Sequence, residues 1–176
     1  MAARLYTTVL LCRYILAGFL ICALMSAAGS SYRSLSVDSA GRLQIELDTG
    51  GVIKPARLKD QVAFGAPEIS PDHRTVGWLA MYRYPSPPGT GYVREPIAGA
   101  LILYRSGRII HTFGTEQTFW DWQFQDGGKH VAYSTGPTHG GAVECVLRDV
   151  DSGKIVATWW VKDGGDPPAW AQSLRV

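Results

Sequence analysis

The chain has 176 residues, with 17 lysines and arginines against 15 aspartates and glutamates. A formal net charge of +2 gives no electrostatic basis for binding nucleic acid or an anionic membrane, and we exclude both as main partners. Because 20 glycines and 10 prolines leave few windows long enough for three helical turns, the composition predicts an all-β protein.

The N-terminal segment has the pattern of a secretory signal peptide. Arg4 and Arg13 flank a partly apolar start, residues 14–25 contain no charge, and the small residues 26–28 follow. A basic region, an apolar stretch and a small-residue site define such a signal. We therefore predict cleavage after Ala28 and a periplasmic or secreted protein. An uncleaved N-terminal anchor is the alternative, and no other membrane segment is predicted.

Removal of the signal segment, 1–28, changes the charge and cysteine counts. Both arginines of that segment are lost, which leaves equal numbers of basic and acidic residues. Two of the three cysteines are lost as well, so Cys145 cannot form an internal disulfide. Its apolar neighbours predict that Cys145 is buried in a strand. We assign residues 29–42 to a linker and residues 43–176 to a single β-repeat domain.

Short strand patterns follow one another along the rest of the chain. Residues 43–47 alternate apolar and polar side chains, as a half-buried strand does. Residues 120–124 alternate aromatic and polar ones, which predicts that Trp120, Trp122 and Phe124 share one buried face. The other predicted strands are 75–84, 100–104, 131–134, 142–148 and 155–161.

Two stretches of the chain repeat each other. Residues 107–113 match residues 153–159 position for position, since both begin with glycine, a basic residue and isoleucine and end with threonine and an aromatic residue. A repeat of about 40–50 residues built from short strands is typical of propeller-type sheets. We therefore predict that each glycine lies in a hairpin between two antiparallel strands. In the same alignment, Ile109 and Ile155 are predicted to point into a core.

One turn shows a resemblance to a known family. It reads Ser70-Pro71-Asp72-His73 and leads into the predicted strand 75–84. The turn and its strand resemble the Ser-Pro-Asp-Gly blade motif of TolB-type β-propellers, and the resemblance extends over residues 48–161. His73 replaces the usual glycine, which predicts a turn that needs no positive φ at this position.

The resemblance implies a fold but no particular function, because propellers have many unrelated roles. A closed ring needs about four to eight four-stranded blades, and the chain has two complete units and a partial one. We therefore predict an all-β fold of propeller-like, antiparallel four-stranded sheet repeats. The prediction is an open or sandwich-like arrangement rather than a closed ring, or one that a homo-oligomer completes.

No catalytic or metal-binding pattern stands out in the sequence. It contains no Gly-x-Ser-x-Gly nucleophile motif, and its four histidines are far apart, which argues against a zinc site. Glu116, Asp121 and Glu144 have no spacing that unites any two of them as a glycosidase pair. We therefore predict a protein that is not an enzyme and that has no cofactor and no metal.

Three residues are predicted to contact a ligand. His139 lies in a loop rich in glycine, and Tyr92 ends a proline-rich insertion. Trp160 follows Trp159, and because side chains alternate along a strand, one of the two is expected to face outwards. The sequence thus predicts an exported binding module with a protein or glycan partner. The alternative is a small secreted hydrolase acting on carbohydrates, or a sugar-binding module that uses the aromatic strand.

Overall fold

The computed structural model describes residues 31–83, 95–139, 141–163 and 165–175. The chain from Ser31 onward forms one compact unit, and the predicted signal segment lies outside the described residues. Within those ranges there is no α-helix, and the only helical turns are two short 3-10 segments. None of the helical segments described is long and apolar enough to cross a membrane.

The described strands form three antiparallel meanders. The first sheet consists of β1 (Tyr32–Val37), β2 (Leu43–Leu47) and β3 (Val52–Ile53). The second consists of β4 (Gln61–Ile69), β5 (Val76–Tyr82), β6 (Ile97–Arg105) and β7 (Arg108–Gly114). The third consists of β8 (Thr118–Gln125), β9 (His130–Gly136), β10 (Glu144–Asp149) and β11 (Ile155–Trp160). Within each sheet the strands lie side by side in chain order. The all-β prediction, with two complete units, one partial unit and no closed ring, is confirmed.

The second sheet is the middle layer of a stack. One of its faces packs on the first sheet through a core that includes Tyr32, Leu43, Ile45, Phe64, Val76, Trp78, Ile102 and Tyr104. Its other face packs on the third sheet through Leu79, Leu101, Leu103, Phe119, Trp122, Phe124, Val131, Tyr133 and Val146. Because both faces are covered, β5 and β6 are apolar runs that are buried along most of their length.

The two ends of the stack are closed in different ways. The outer face of the first sheet is polar, and there the Ser34 hydroxyl donates a hydrogen bond of 2.7 Å to Glu46. The outer face of the third sheet is apolar around Cys145 and is covered by the C-terminal segment, through Ala171 and Leu174. A stack of sheets needs end layers that do not leave apolar surface in water. Both end faces largely meet that condition, although Val37 and Val52 on the first sheet and Ile155 and Val156 on the third are exposed.

The repeat in the sequence is also a repeat in the structure. Gly107 lies in the β6–β7 hairpin with φ 80°, and Gly153 lies in the β10–β11 hairpin with φ 68°. In both hairpins the strand register shifts directly after the turn, so that Ile110 in β7 and Val156 in β11 have no opposite residue. The predicted hairpin positions of the two glycines are therefore confirmed.

The prediction that Ile109 and Ile155 point into a core is wrong. Their side chains are 37% and 54% exposed. Each precedes a β-bulge on the outermost strand of its sheet, and a bulge changes which side chains face the neighbouring layer. In β7 it is Ile110 that packs against the core between the second and third sheets.

Two predictions near the first sheet are corrected. The linker assigned to 29–42 contains β1, whose alternation is masked in the sequence by serines. His73 has φ 58°, so its turn does need a positive φ. The His73 ring Nδ1 donates to the Tyr32 carbonyl oxygen at 2.8 Å, and the Tyr32 N–H donates to the His73 carbonyl at 2.9 Å. These two bonds offset the cost of a left-handed conformation at a residue other than glycine.

The aromatic strand is buried as predicted at Trp122 and Phe124, which are 5% and 8% exposed, but Trp120 is 42% exposed. Phe119 pairs with Thr135 and the residue after Trp120 pairs with Ser134, so Trp120 is the extra residue of a β-bulge. Phe119 takes the place in the core that the alternation assigned to Trp120.

Candidate binding surface on the third sheet

The outermost strand of the third sheet, β11, is exposed. Among the described strands it pairs only with β10, so its other edge is free. Ile155 and Val156 are each 54% exposed, and Thr158 is exposed as well. A free strand edge presents unpaired N–H and C=O groups, and apolar side chains beside it make it a template for another strand.

The second half of β11 is regular and firmly held. From Ala157 to Trp160 every residue has a partner on β10 without a register shift. Trp159 packs with the C-terminal segment against the outer face of the third sheet. This packing fixes the strand from one side, while the free edge of the same strand remains accessible.

The hairpin that leads into β11 is held by Arg148, and also by Arg105 and His111 of the second sheet, which both contact Asp151. The Arg148 guanidinium lies 4.6 Å from the Phe113 ring centroid, donates to the Tyr133 hydroxyl at 2.9 Å and donates to the Gly153 carbonyl at 2.8 Å. Burial raises the pKa of the Tyr133 hydroxyl, and the bond from Arg148 opposes that shift. Because these contacts join the hairpin to the second sheet, β11 starts from a fixed position.

Trp160 and His139 lie at the same end of the third sheet. Trp160 is half-buried, and the Lys162 ammonium lies 5.1 Å from the centroid of its ring, within the range of a cation–π interaction. His139 is exposed in the loop between β9 and β10. This loop closes beside the end of β11, since the Val161 N–H donates to the Val143 carbonyl at 3.0 Å. Tyr92, the third predicted residue, lies outside the described residues.

Three exposed residues of this sheet, Trp120, Ile155 and Val156, were not predicted to be exposed. Ile155 and Val156 were assigned to a strand, but nothing in the sequence shows that no sheet covers them. Trp120 lies over Gly136, where any Cβ would come within 2.9 Å of the indole Nε1. A glycine in a strand indicates such a close approach, and that was the one available signal for Trp120.

The structure brings together two carboxylates that the sequence did not pair, Glu68 on β4 and Asp121 on β8. Burial, and then the charge of Asp121, raises the pKa of the Glu68 carboxyl. Asp121 already accepts hydrogen bonds from the Trp122 N–H at 2.9 Å and the Arg175 N–H at 3.0 Å. Its oxygens therefore hold the β8 bulge and the C-terminal segment in place.

One further reactive group of the third sheet is a thiol. Cys145 is fully buried, as predicted, and burial raises the pKa of its thiol. Within the described ranges, no group of three or more His, Cys, Asp or Glu side chains is placed to hold a metal ion.

A scan against protein-family models finds no match, and a search of curated proteins finds no similar sequence. The candidate binding surface of the third sheet is the β11 edge, with the exposed side chains of Ile155 and Val156 beside it.

Proposed function

We propose that this chain is an exported, non-catalytic binding module built from TolB-type sheet repeats, and that it binds an extended segment of a partner protein along β11. The observation that supports this most is the 54% exposure of both Ile155 and Val156 beside a free strand edge. Full burial of such a side chain contributes roughly 1.5–3 kcal/mol, so covering the exposed half of each is worth about 1 kcal/mol.

The mode of binding is strand addition. A partner strand would form main-chain hydrogen bonds with the regular stretch 157–160, and its alternate side chains would cover Ile155 and Val156. Lys154 precedes β11 and Lys162 follows it, and both are exposed. Charge complementarity therefore favours a partner segment that is apolar in the middle and has a carboxylate near each end.

Export is supported by the sequence of residues 1–28, with its two arginines, its uncharged apolar stretch and its small residues before the cleavage position. The protein purified from the periplasm or the medium should begin near Gly29 by N-terminal sequencing. An intact N-terminus in a cytosolic form would contradict export.

A labelled peptide, Glu-Thr-Val-Thr-Val-Thr-Glu, tests the mode of binding by fluorescence anisotropy. We expect wild-type protein to bind it, and Val156→Lys to weaken binding about tenfold, which corresponds to 1.4 kcal/mol. The matched control is Val52→Lys, because Val52 is 50% exposed on β3, an edge strand of the first sheet. This control should bind the peptide like the wild type.

A second peptide, N-methylated at alternate residues, separates strand addition from simple apolar contact. It should not bind, because methylation removes the donors that pair with β11. Three outcomes would overturn the proposal. The wild type could bind both peptides equally, the two lysine variants could lose the same affinity, or the wild type could fail to bind at about 1 mM peptide. If the wild-type protein is a dimer and Val156→Lys is a monomer, the partner that binds along β11 is a second copy of this chain.

One observation favours a second candidate function, sugar binding. Trp120 is 42% exposed beside the loop that contains His139, and an exposed indole is a suitable surface for stacking a sugar ring. A glycan array with wild-type protein and Trp120→Ala tests it. Binding that Trp120→Ala abolishes would support a glycan ligand, and an array without signal would exclude it.

A further inference from the structure

A basic cleft lies on the first sheet, away from β11. It has a volume of about 470 Å³ and is lined by the cations Arg42, Lys54 and Arg57, with the apolar walls Ala40, Pro55, Ala56 and Phe64. The volume lies within the range typical of small-molecule sites. No carboxylate is among these lining residues.

The three cations come from two segments of the chain, the β1–β2 turn and the β3–β4 connection. Arg42 begins directly before β2, Lys54 follows β3, and Arg57 belongs to the connection between β3 and β4. Among the described residues, the acid paired with one of these cations is Asp38, which accepts a hydrogen bond of 2.9 Å from Arg42 Nε and leaves the terminal nitrogens of that guanidinium for a ligand. Bonds from the Arg42 backbone and side chain lower the pKa of Asp38 to about 2, so it stays ionised.

Arg57 is held in position at the cleft. Its Nη2 donates to the Gly41 carbonyl at 2.9 Å, and its guanidinium lies 5.9 Å from the Phe64 ring centroid. Gly41 has φ 71°, and a Cβ there would lie 3.1 Å from the same Nη2. The lack of a side chain at Gly41 therefore allows both the positive φ of the turn and the close approach of the Arg57 guanidinium. A guanidinium fixed in this way loses less conformational entropy when it binds a ligand.

We infer that this cleft binds an oxyanion, a phosphate or carboxylate group of a small ligand or of a lipid headgroup. Like charges gathered in one concavity repel one another, and a bound anion removes that repulsion. Guanidinium groups also match the geometry of phosphate and carboxylate oxygens. The net charge of the whole chain does not reveal this site, because it sums the charges of all residues without regard to where they lie.

Replacement of Lys54 can test anion binding without disturbing the fold. The Arg57 side chain donates to the Gly41 carbonyl and the Arg42 side chain donates to the Asp38 carboxylate, so replacement of either arginine would also disturb the turn between β1 and β2. Lys54 is exposed, and no hydrogen bond or ion pair of its side chain occurs among the described residues. Its charge is therefore not needed for the fold, and Lys54→Gln should leave the melting temperature unchanged.

The test is a calorimetric titration with inorganic phosphate at low salt. We expect wild-type protein to bind phosphate, Lys54→Gln to weaken binding roughly three- to tenfold, and Arg57→Gln to weaken it at least as much. The matched control is Arg74→Gln, an exposed arginine in the β4–β5 turn, which should bind like the wild type. Peptide binding at β11 should be the same in all of these variants, which keeps this inference independent of the proposed function.

Vesicles distinguish the two sources of the anion. A lipid headgroup is identified if phosphatidylglycerol vesicles bind the wild-type protein but not Lys54→Gln, and if phosphatidylcholine vesicles bind neither. Phosphate binding without vesicle binding would identify a soluble ligand. Phosphate affinity weaker than about 10 mM together with no vesicle binding, or equal effects of Lys54→Gln and Arg74→Gln, would overturn the inference.

Discussion

The strands β7 and β11 have the same sequence pattern and the same bulge, yet they have different surroundings. In β7 the side chains of Ile110 and Phe113 pack against the third sheet. In β11 the residue equivalent to Ile110 is Val156, and it is 54% exposed. A sheet lies beside β7 in the stack, whereas β11 belongs to the last sheet, whose outer face is covered only in part, by the C-terminal segment.

The comparison shows that the repeated sequence determines where a strand and its bulge form. Whether the side chains of that strand are exposed depends on the layer that packs beside it. A side chain that is a core residue in one unit becomes a contact surface in the next, without any change in local pattern. Binding surfaces in a short stack of repeats therefore arise where the stack ends. This is the physical reason for placing the partner segment on β11 rather than on β7.

The largest expected effect concerns the interface that covers β7. Trp122 is 5% exposed and donates from its indole N–H to the Ala66 carbonyl at 3.1 Å. Trp122→Ala should lower the free energy of unfolding by about 3–5 kcal/mol in urea denaturation followed by circular dichroism. The control on the same strand, Trp120→Ala, should cost less than about 1 kcal/mol. Equal losses would mean that the bulge does not separate the two tryptophans.

The next effect concerns the cover on the third sheet. Leu174 is 5% exposed and packs over Cys145, so Leu174→Ala should cost about 2–3 kcal/mol. It should also speed the reaction of the Cys145 thiol with a disulfide reagent at least about tenfold, because local opening of the segment exposes the thiol. Gln172→Ala, at an exposed position of the same segment, should change both values far less, because it removes only an exposed hydrogen bond to the Pro167 carbonyl. An unchanged thiol rate in Leu174→Ala would show that another element protects Cys145.

The smallest effect compares the two repeat copies directly. Ile110→Lys should cost about 1–2 kcal/mol, because the half-buried side chain loses apolar contacts although the lysine head reaches water. Val156→Lys should stay within about 0.5 kcal/mol of the wild type. Thermal melts of both variants under one condition suffice. A larger loss for Val156→Lys would show that β11 is covered in solution.

The sequence was sufficient for the strand class, the hairpin glycines and the boundaries of β2, which match the predicted residues 43–47. It was not sufficient where a bulge adds a residue. Ala66 has φ 41°, and the register of β4 shifts between Gly65 and Glu68, so β4 has no clean alternation and was not predicted. Exposure at β11 also could not be predicted, because it depends on which layer lies beyond it. Local pattern contains no information on that point.

The two hydrogen bonds between His73 and Tyr32 have a consequence for the order of folding. They join residues 41 positions apart, and they fasten the first residue of β1. As the chain is made or exported from its N-terminus, β1 and β2 appear well before the turn that contains His73. The strands of the first sheet can pair early, but the two hydrogen bonds that hold Tyr32 cannot form until the His73 turn has formed. The part of the domain that emerges first is therefore completed only after a later segment has folded.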